Sequence, residues 1–316
     1  MKIGIVGAGA VGGFFGGLLK KSGHQVTFLA RGKHLEAMKA NGLHIKGEKE
    51  EFTVHSEFTD NVSDLRDSDW ILFCIKSNST RELAKELQRI IKEDAKVLTL
   101  QNGVDNEEVL SNIFGAERVF SSATYIQSAI EKPGVISQKG RVQLVIGELE
   151  ETAKSDCSVI VNIFKEAGVD TRHTGKIMAR KWSKLLWNIT FNPLSAISTA
   201  AVGEILDDPD LRKTAEIICK EALDVATNVG IKLDRNQMFE TIFKNAERAR
   251  THHTSMLQDR LNRKPMEVEA IIGYVKKKAD ELQINVPTIH AAYSILNYLN
   301  QQILEEKSNN NQMKNS

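Results

Sequence analysis

Two hydrophobic periodicities divide the chain. Up to about residue 174, short runs of β-branched and aromatic residues alternate with stretches whose apolar positions recur at helical spacing. Beyond that point the strand-like runs disappear, and apolar residues recur every third or fourth position through residues 177–191, 211–229, 266–282 and 288–304. The first pattern predicts strands joined by crossover helices, and the second predicts an all-helical domain. In order, the N-terminal half reads as a strand holding Ile3, Ile5 and Val6, a helix, a strand at 25–29, a helix at 33–41 and two short strands at 43–45 and 52–54. Residues 70–75 form a continuous apolar run, as expected of a central parallel strand covered on both faces. A helix at 80–91 and strands at 96–100 and 119–126 follow. After a turn at Pro133-Gly134 come a strand at 142–146, a helix at 152–167 and an edge strand at 169–173. The expected domains are therefore residues 1–174 and 175–307, followed by a polar, Asn-rich tail at 308–316 that should be disordered.

The first strand runs into Gly7-Ala8-Gly9-Ala10-Val11-Gly12, and Phe14, Phe15, Leu18 and Leu19 then recur as on a helix. Strand, glycine turn and helix together make a dinucleotide-binding fingerprint. Gly7 allows the tight turn, Gly9 lets the backbone approach a pyrophosphate, and Gly12 lets the helix pack on the strand. The pyrophosphate would meet free amides and the positive end of the helix dipole. Where an NAD site usually carries an acidic residue after the second strand, this chain has Ala30 and Arg31, and a guanidinium suits a 2′-phosphate. The expected cofactor is NADP(H). Ligands of open α/β sheets sit beyond the carboxyl ends of the strands, which puts Lys76 and Asn102 beside the turn.

Composition narrows the function by exclusion. A formal charge of +1, from 42 basic and 41 acidic residues among 316, offers no bulk attraction to nucleic acid or an anionic membrane. No apolar run approaches the roughly 18 residues of a membrane span. The three cysteines are far apart and lack metal spacing, so reduced buried thiols, no metal and a cytoplasmic location are expected. Nothing resembles a cleaved signal, so the mature protein is expected to begin at or near Met1. His173 reads as a surface residue. The adjacent pair His252-His253 would point apart on a helix and has no suitably spaced carboxylate.

In the helical half, Lys184, Asn188 and Asn192 stand four residues apart, so they share one face of a helix that Pro193 should end or kink. Their neighbours Trp182, Leu185, Leu186, Trp187, Ile189 and Phe191 are apolar, and a polar stripe there is costly unless it meets a ligand or a satisfied network. Spacing alone leaves an exposed or structurally satisfied stripe equally open.

These features together with Lys76, Gln101-Asn102-Gly103, Ser255-Met256-Leu257-Gln258-Asp259 and Glu267 resemble the ketopantoate reductase (2-dehydropantoate 2-reductase) family, with the likeness running from Lys2 to about Tyr274. The resemblance implies an α/β Rossmann-type NADPH-binding domain joined to an all-α domain like that of 6-phosphogluconate dehydrogenase. It also implies reduction of ketopantoate to D-pantoate, on the route to pantothenate and coenzyme A, in a cleft between the domains. By the same resemblance Lys184 donates the proton, and Glu267 contacts lysine, substrate or cofactor. Asn102 touches cofactor and substrate, and Asn188, Asn192 and Ser255 line the substrate pocket. Arg31 and Lys76 hold the 2′-phosphate side, with the backbone near Ile126 close to the cofactor. Where the family often has Asn before Gly-Glu, this chain has Val202-Gly203-Glu204, which leaves open a paralogue acting on another 2-keto acid. A catalytically silent nucleotide sensor is the alternative of another class, and the apolar helices leave a homodimer open.

Overall fold

The computed structural model describes residues 1–76 and 79–314, the last eight of these by backbone alone. It divides into two compact units, Met1–Met178 and Ala179–Ser316.

The first unit is built on a ten-stranded sheet, with order β4-β3-β9-β8-β7-β6-β1-β2-β5 and β10 added to β9. Its elements are β1 (Lys2–Val6), α1 (Ala10–Lys21), β2 (Gln25–Leu29), α2 (Gly32–Asn41), β3 (Leu43–Lys46), β4 (Glu51–Val54), β5 (Glu57–Thr59), β6 (Trp70–Phe73) and α3 (Thr80–Gln88). There follow β7 (Lys96–Thr99), α4 (Asn106–Phe114), β8 (Val119–Lys132), β9 (Val135–Glu148), α5 (Lys154–Glu166) and β10 (Asp170–His173). At the centre β1 lies between β2 and β6, all parallel, with Ile5 opposite Phe28 on one side and Leu72 on the other. Successive strand residues alternate faces. Ile5, Leu72 and Leu98 join a core under α1, α2 and α5, while Val6, Ile71 and Val97 join a second core under α3 and α4. Burial on both faces explains the uninterrupted apolar run at 70–75.

The chain departs from its sequence pattern in the β8–β9 hairpin. Each strand has 14 residues, so the runs expected at 119–126 and 142–146 are only parts of them. The outer part of β8 is largely exposed while Val135, Ile136 and Gln138 opposite it on β9 are buried, the register shifts between Tyr125/Gln127 and Ile130/Lys132, and Gly140 adopts φ +68°. Alternation carries no signal where neither face is consistently buried. The expected turn at Pro133-Gly134 joins the two strands.

The second unit is helical: α6 (Ile177–Ser198, beginning two residues before the division), α7 (Val202–Asp207), α8 (Pro209–Asn228), α9 (Arg235–Arg248), α10 (Ser255–Leu261), α11 (Tyr274–Glu281) and α12 (Pro287–Lys314). Pro193 does not end α6, which continues to Ser198 and stops at Thr199, in the left-handed region at φ 62°. The single helix expected at 266–282 starts at 268 and runs through a turn of π-helix (Glu269–Gly273) into α11. His252 and His253 lie in the loop before α10, not on a helix. The side chains of the tail expected at 308–316 lie outside the described residues. Among the described residues, no helix is long and apolar enough to cross a membrane.

Candidate active site

The glycine turn closes over the carboxyl ends of β1 and β2. Gly7 takes φ +96°, which only glycine adopts without strain, and both Gly7 and Ala8 donate their amides to the Leu29 carbonyl, at 3.2 and 2.9 Å. A Cβ on Gly12 would stand 2.2 Å from the Gly7 carbonyl oxygen, so α1 can begin here only if position 12 is bare. A Cβ on Gly9 would meet nothing within 4 Å, and Gly9 borders a cavity of about 420 Å³. The three glycines thus meet the geometric requirements of a dinucleotide turn: bend, packing and open approach.

Gly7, Ala8, Gly9 and Arg31 line that cavity together with residues sequence reasoning missed: His34, Ile75, Glu82, Glu86 and Ile130. Ala10, Val11 and Gly12 form the first turn of α1 behind it, where helix amides have no intrahelical acceptor. Arg31 is exposed at the N-cap of α2. The cradle, the helix start and the cation fit a phosphate-bearing dinucleotide. Lys76 is exposed just past β6, and Asn102 is partly buried just past β7, where its carbonyl accepts the Asn106 side-chain amide at 3.0 Å. Gln101 braces these strand ends by donating to the Ile75 carbonyl at 2.9 Å and to Thr80 Oγ1 at 2.7 Å. Ile126 is partly buried against the α1-side core, and the β8 residue that lines the cavity is Ile130, four residues further along the strand.

In the helical unit, α6 carries Lys184, Asn188 and Asn192 on one face. Lys184 and Asn188 are partly buried; Asn192 is buried, and its Oδ1 finds no hydrogen-bond partner among the described residues. Burial, and secondarily the charge of Lys181, push the Lys184 amine down to about 8, against the pull of the Glu267 carboxylate. Lys181 lies one turn before Lys184 and is only 3% exposed. Glu267 stands just ahead of the π-turn, in a segment held by the Met266 amide donating to Asn300 Oδ1 at 2.8 Å. Buried Trp182 packs on Tyr274, 6.1 Å between ring centroids, fixing α6 to α11. Ser255 opens α10 and is exposed, because the capping task falls to Thr254, whose Oγ1 accepts the Leu257 amide at 3.2 Å. Val202 is fully buried and presents no polar group where the family often has asparagine. Lys184, Glu267 and the asparagines thus assemble a partly buried amine beside a carboxylate and amide groups. That set can deliver a proton and bind oxygen atoms.

Glu148, Cys157 and His173 also converge, their ligand-type atoms within 4.8 Å of one another. His173 Nε2 and Glu148 Oε2 are 2.6 Å apart. Two ligands on a tetrahedral zinc lie roughly 3.3 Å apart at bond lengths of about 2.0–2.1 Å. The contact is instead a direct hydrogen bond tying the ends of β9 and β10.

Two family models match the chain: "Ketopantoate reductase PanE/ApbA" over residues 3–151 and "Ketopantoate reductase PanE/ApbA C terminal" over residues 176–300. The chain belongs to the ketopantoate reductase family. A 2-dehydropantoate 2-reductase of Pyrococcus horikoshii is 33% identical, with 91% of this chain and 93% of that protein covered. The crystal structure of a PanE/ApbA family ketopantoate reductase from Ralstonia eutropha superposes with TM-score 0.89 at 29% identity, covering 96% and 100% of the two chains. D-mandelate dehydrogenase, solved with NADH and anilino(oxo)acetate, shares the fold at 23% identity and TM-score 0.87, covering 96% and 99%. Like other ketopantoate reductases, this chain is an oxidoreductase with a Rossmann-type domain and a helical C-terminal domain.

Proposed function

We propose that this enzyme reduces ketopantoate to D-pantoate with NADPH, using Lys184 as the proton donor, in the cytoplasmic synthesis of pantothenate and coenzyme A. The observation that carries the proposal is the partly buried Lys184 amine, tuned to about 8 beside Glu267 on a face shared with Asn188 and Asn192. When bound, the dinucleotide supplies a hydride to the ketone carbon. Lys184 meets the resulting charge. Mostly protonated at neutral pH, it stabilises the developing alkoxide and then passes a proton from Nζ to the oxygen. An amine near 8 gives up that proton more readily than one at 10.5, yet still holds it at pH 7. Glu267 keeps the ammonium oriented and limits the loss of basicity. Asn188, Asn192 and Ser255 offer donors and acceptors to the substrate's carboxylate and hydroxyl without a competing charge. The unpartnered Asn192 Oδ1 supports such a role, since a buried acceptor left alone is costly. Arg31, Lys76 and Asn102 serve the cofactor, with Arg31 selecting the 2′-phosphate.

Purified protein should oxidise NADPH on addition of ketopantoate and use NADH poorly. Lys184→Ala should lower kcat by about 10²–10⁴-fold. Undiminished turnover in that variant would remove Lys184 from the mechanism. Arg31→Ala should raise KM for NADPH about tenfold or more while leaving that for NADH unchanged, and equal effects on both would refute the 2′-phosphate assignment.

Buried, apolar Val202 favours one second reading, a paralogue for a branched or aromatic 2-keto acid. A substrate panel decides between them: kcat/KM highest for ketopantoate supports the first, and highest for another 2-keto acid supports the second.

A further inference from the structure

His34, in the first turn of α2, makes two backbone hydrogen bonds to segments far apart in sequence. Its Nδ1 accepts the Gly134 amide at 3.0 Å, and its Nε2 lies 3.0 Å from the Ala8 carbonyl oxygen. An amide can only donate, so Nδ1 is bare, the ring is neutral and the proton sits on Nε2, from which it is donated to Ala8. The adjoining peptides are fastened as well: the Ala8 amide donates to Leu29, and the Gly134 carbonyl accepts the His44 amide at 2.9 Å. Burial keeps the imidazole below its usual titration range, in accord with the neutral form.

The Ala8 carbonyl and the Gly9 amide belong to one planar trans peptide and point in opposite directions. Fixing the carbonyl therefore fixes the Gly9 N–H, a donor at the mouth of α1 and the edge of the cavity. Gly9 has no Cβ and no neighbouring atom within 4 Å of where one would be, so no side-chain packing holds this peptide in place. We propose that His34 is the positioning residue of the dinucleotide turn: as the Nε2–H tautomer it orients the Ala8–Gly9 peptide and anchors it to the tip of the β8–β9 hairpin, so that phosphate binding depends on it. The role rests on the dinucleotide reading of the turn, and it gives α2 a task beyond presenting Arg31.

Two substitutions separate the two halves of the ring. Glutamine can place its amide donor near Nε2 and keep the bond to Ala8, whereas asparagine can place an acceptor near Nδ1 and keep only the bond to Gly134. Affinity for NADPH and NADH is read by titration calorimetry without substrate. His34→Gln should bind within about threefold of wild type, while His34→Asn and His34→Ala should weaken binding about five- to tenfold, as expected for one lost backbone hydrogen bond. At saturating cofactor kcat should be unchanged. Nitrogen-15 NMR of the ligand-free wild type should show a neutral imidazole protonated at Nε2 at pH 7. An imidazolium, an Nδ1–H tautomer, or an alanine variant that binds as tightly as wild type would overturn the proposal, the NMR result deciding even if a variant fails to fold. If wild type binds neither dinucleotide, the reading of the turn itself fails, an outcome distinct from loss of the role of His34 alone.

Discussion

Replacing Lys184 with methionine should abolish reduction and yet make the protein more stable at neutral pH. The folded protein holds this amine at about 8, whereas an unfolded chain holds it near 10.5. At about 1.36 kcal/mol per tenfold, that gap is a penalty of about 3 kcal/mol for keeping the ammonium folded, which the partial exposure of the side chain to solvent reduces to about 2 kcal/mol. The sign follows from linkage. Below 8 both states are protonated, and the folded state carries the whole penalty. Between 8 and 10.5 the folded state releases its proton first and the penalty shrinks; above 10.5 it is gone. Methionine fills similar space without charge, so Lys184→Met should be about 2 kcal/mol more stable than wild type at pH 7, with a markedly smaller advantage at pH 9.5. Urea denaturation followed by tryptophan fluorescence measures this well, since two of the three tryptophans, Trp182 and Trp187, lie on α6. No gain at pH 7, or a gain as large at pH 9.5, would refute the idea that burial of a charged amine sets the properties of Lys184.

Because the charge of Lys181 helps depress Lys184, Lys181→Gln should raise the amine and move the alkaline limb of the kcat profile to higher pH; a limb that stays near 8 removes Lys181 from the tuning. Gly12→Ala would place a methyl 2.2 Å from the Gly7 carbonyl oxygen, so it should cost about 1–3 kcal/mol in a thermal melt and cost dinucleotide affinity as well, and wild-type binding by calorimetry would refute the packing argument. His173→Ala leaves the buried Glu148 carboxylate without its 2.6 Å partner and should destabilise by about 1–3 kcal/mol with no change in kcat; a loss of activity without a loss of stability would give this cluster a role other than structural.

The amino-acid sequence by itself determined the class of each half, because a strand buried on both faces and an amphipathic helix have periods that neighbouring residues cannot disguise. It determined the glycine turn as well, whose geometry demands glycine for local reasons at Gly7 and Gly12, and the shared face of Lys184, Asn188 and Asn192, which follows from helical spacing alone. Tertiary structure decided what no local pattern contains. The outer β8–β9 hairpin is held by cross-strand pairing along an exposed stretch of β8, so alternation fades there. The helix of Lys184 runs through Pro193 because its flanks are packed. Glu267 meets Lys184 across 83 residues, and His34 meets Ala8 and Gly134 across 26 and 100, contacts that exist only once separate elements are docked. The proposed reductase depends on both levels: residue types written locally, and a basicity at Lys184 that arises only when the chain around it excludes water.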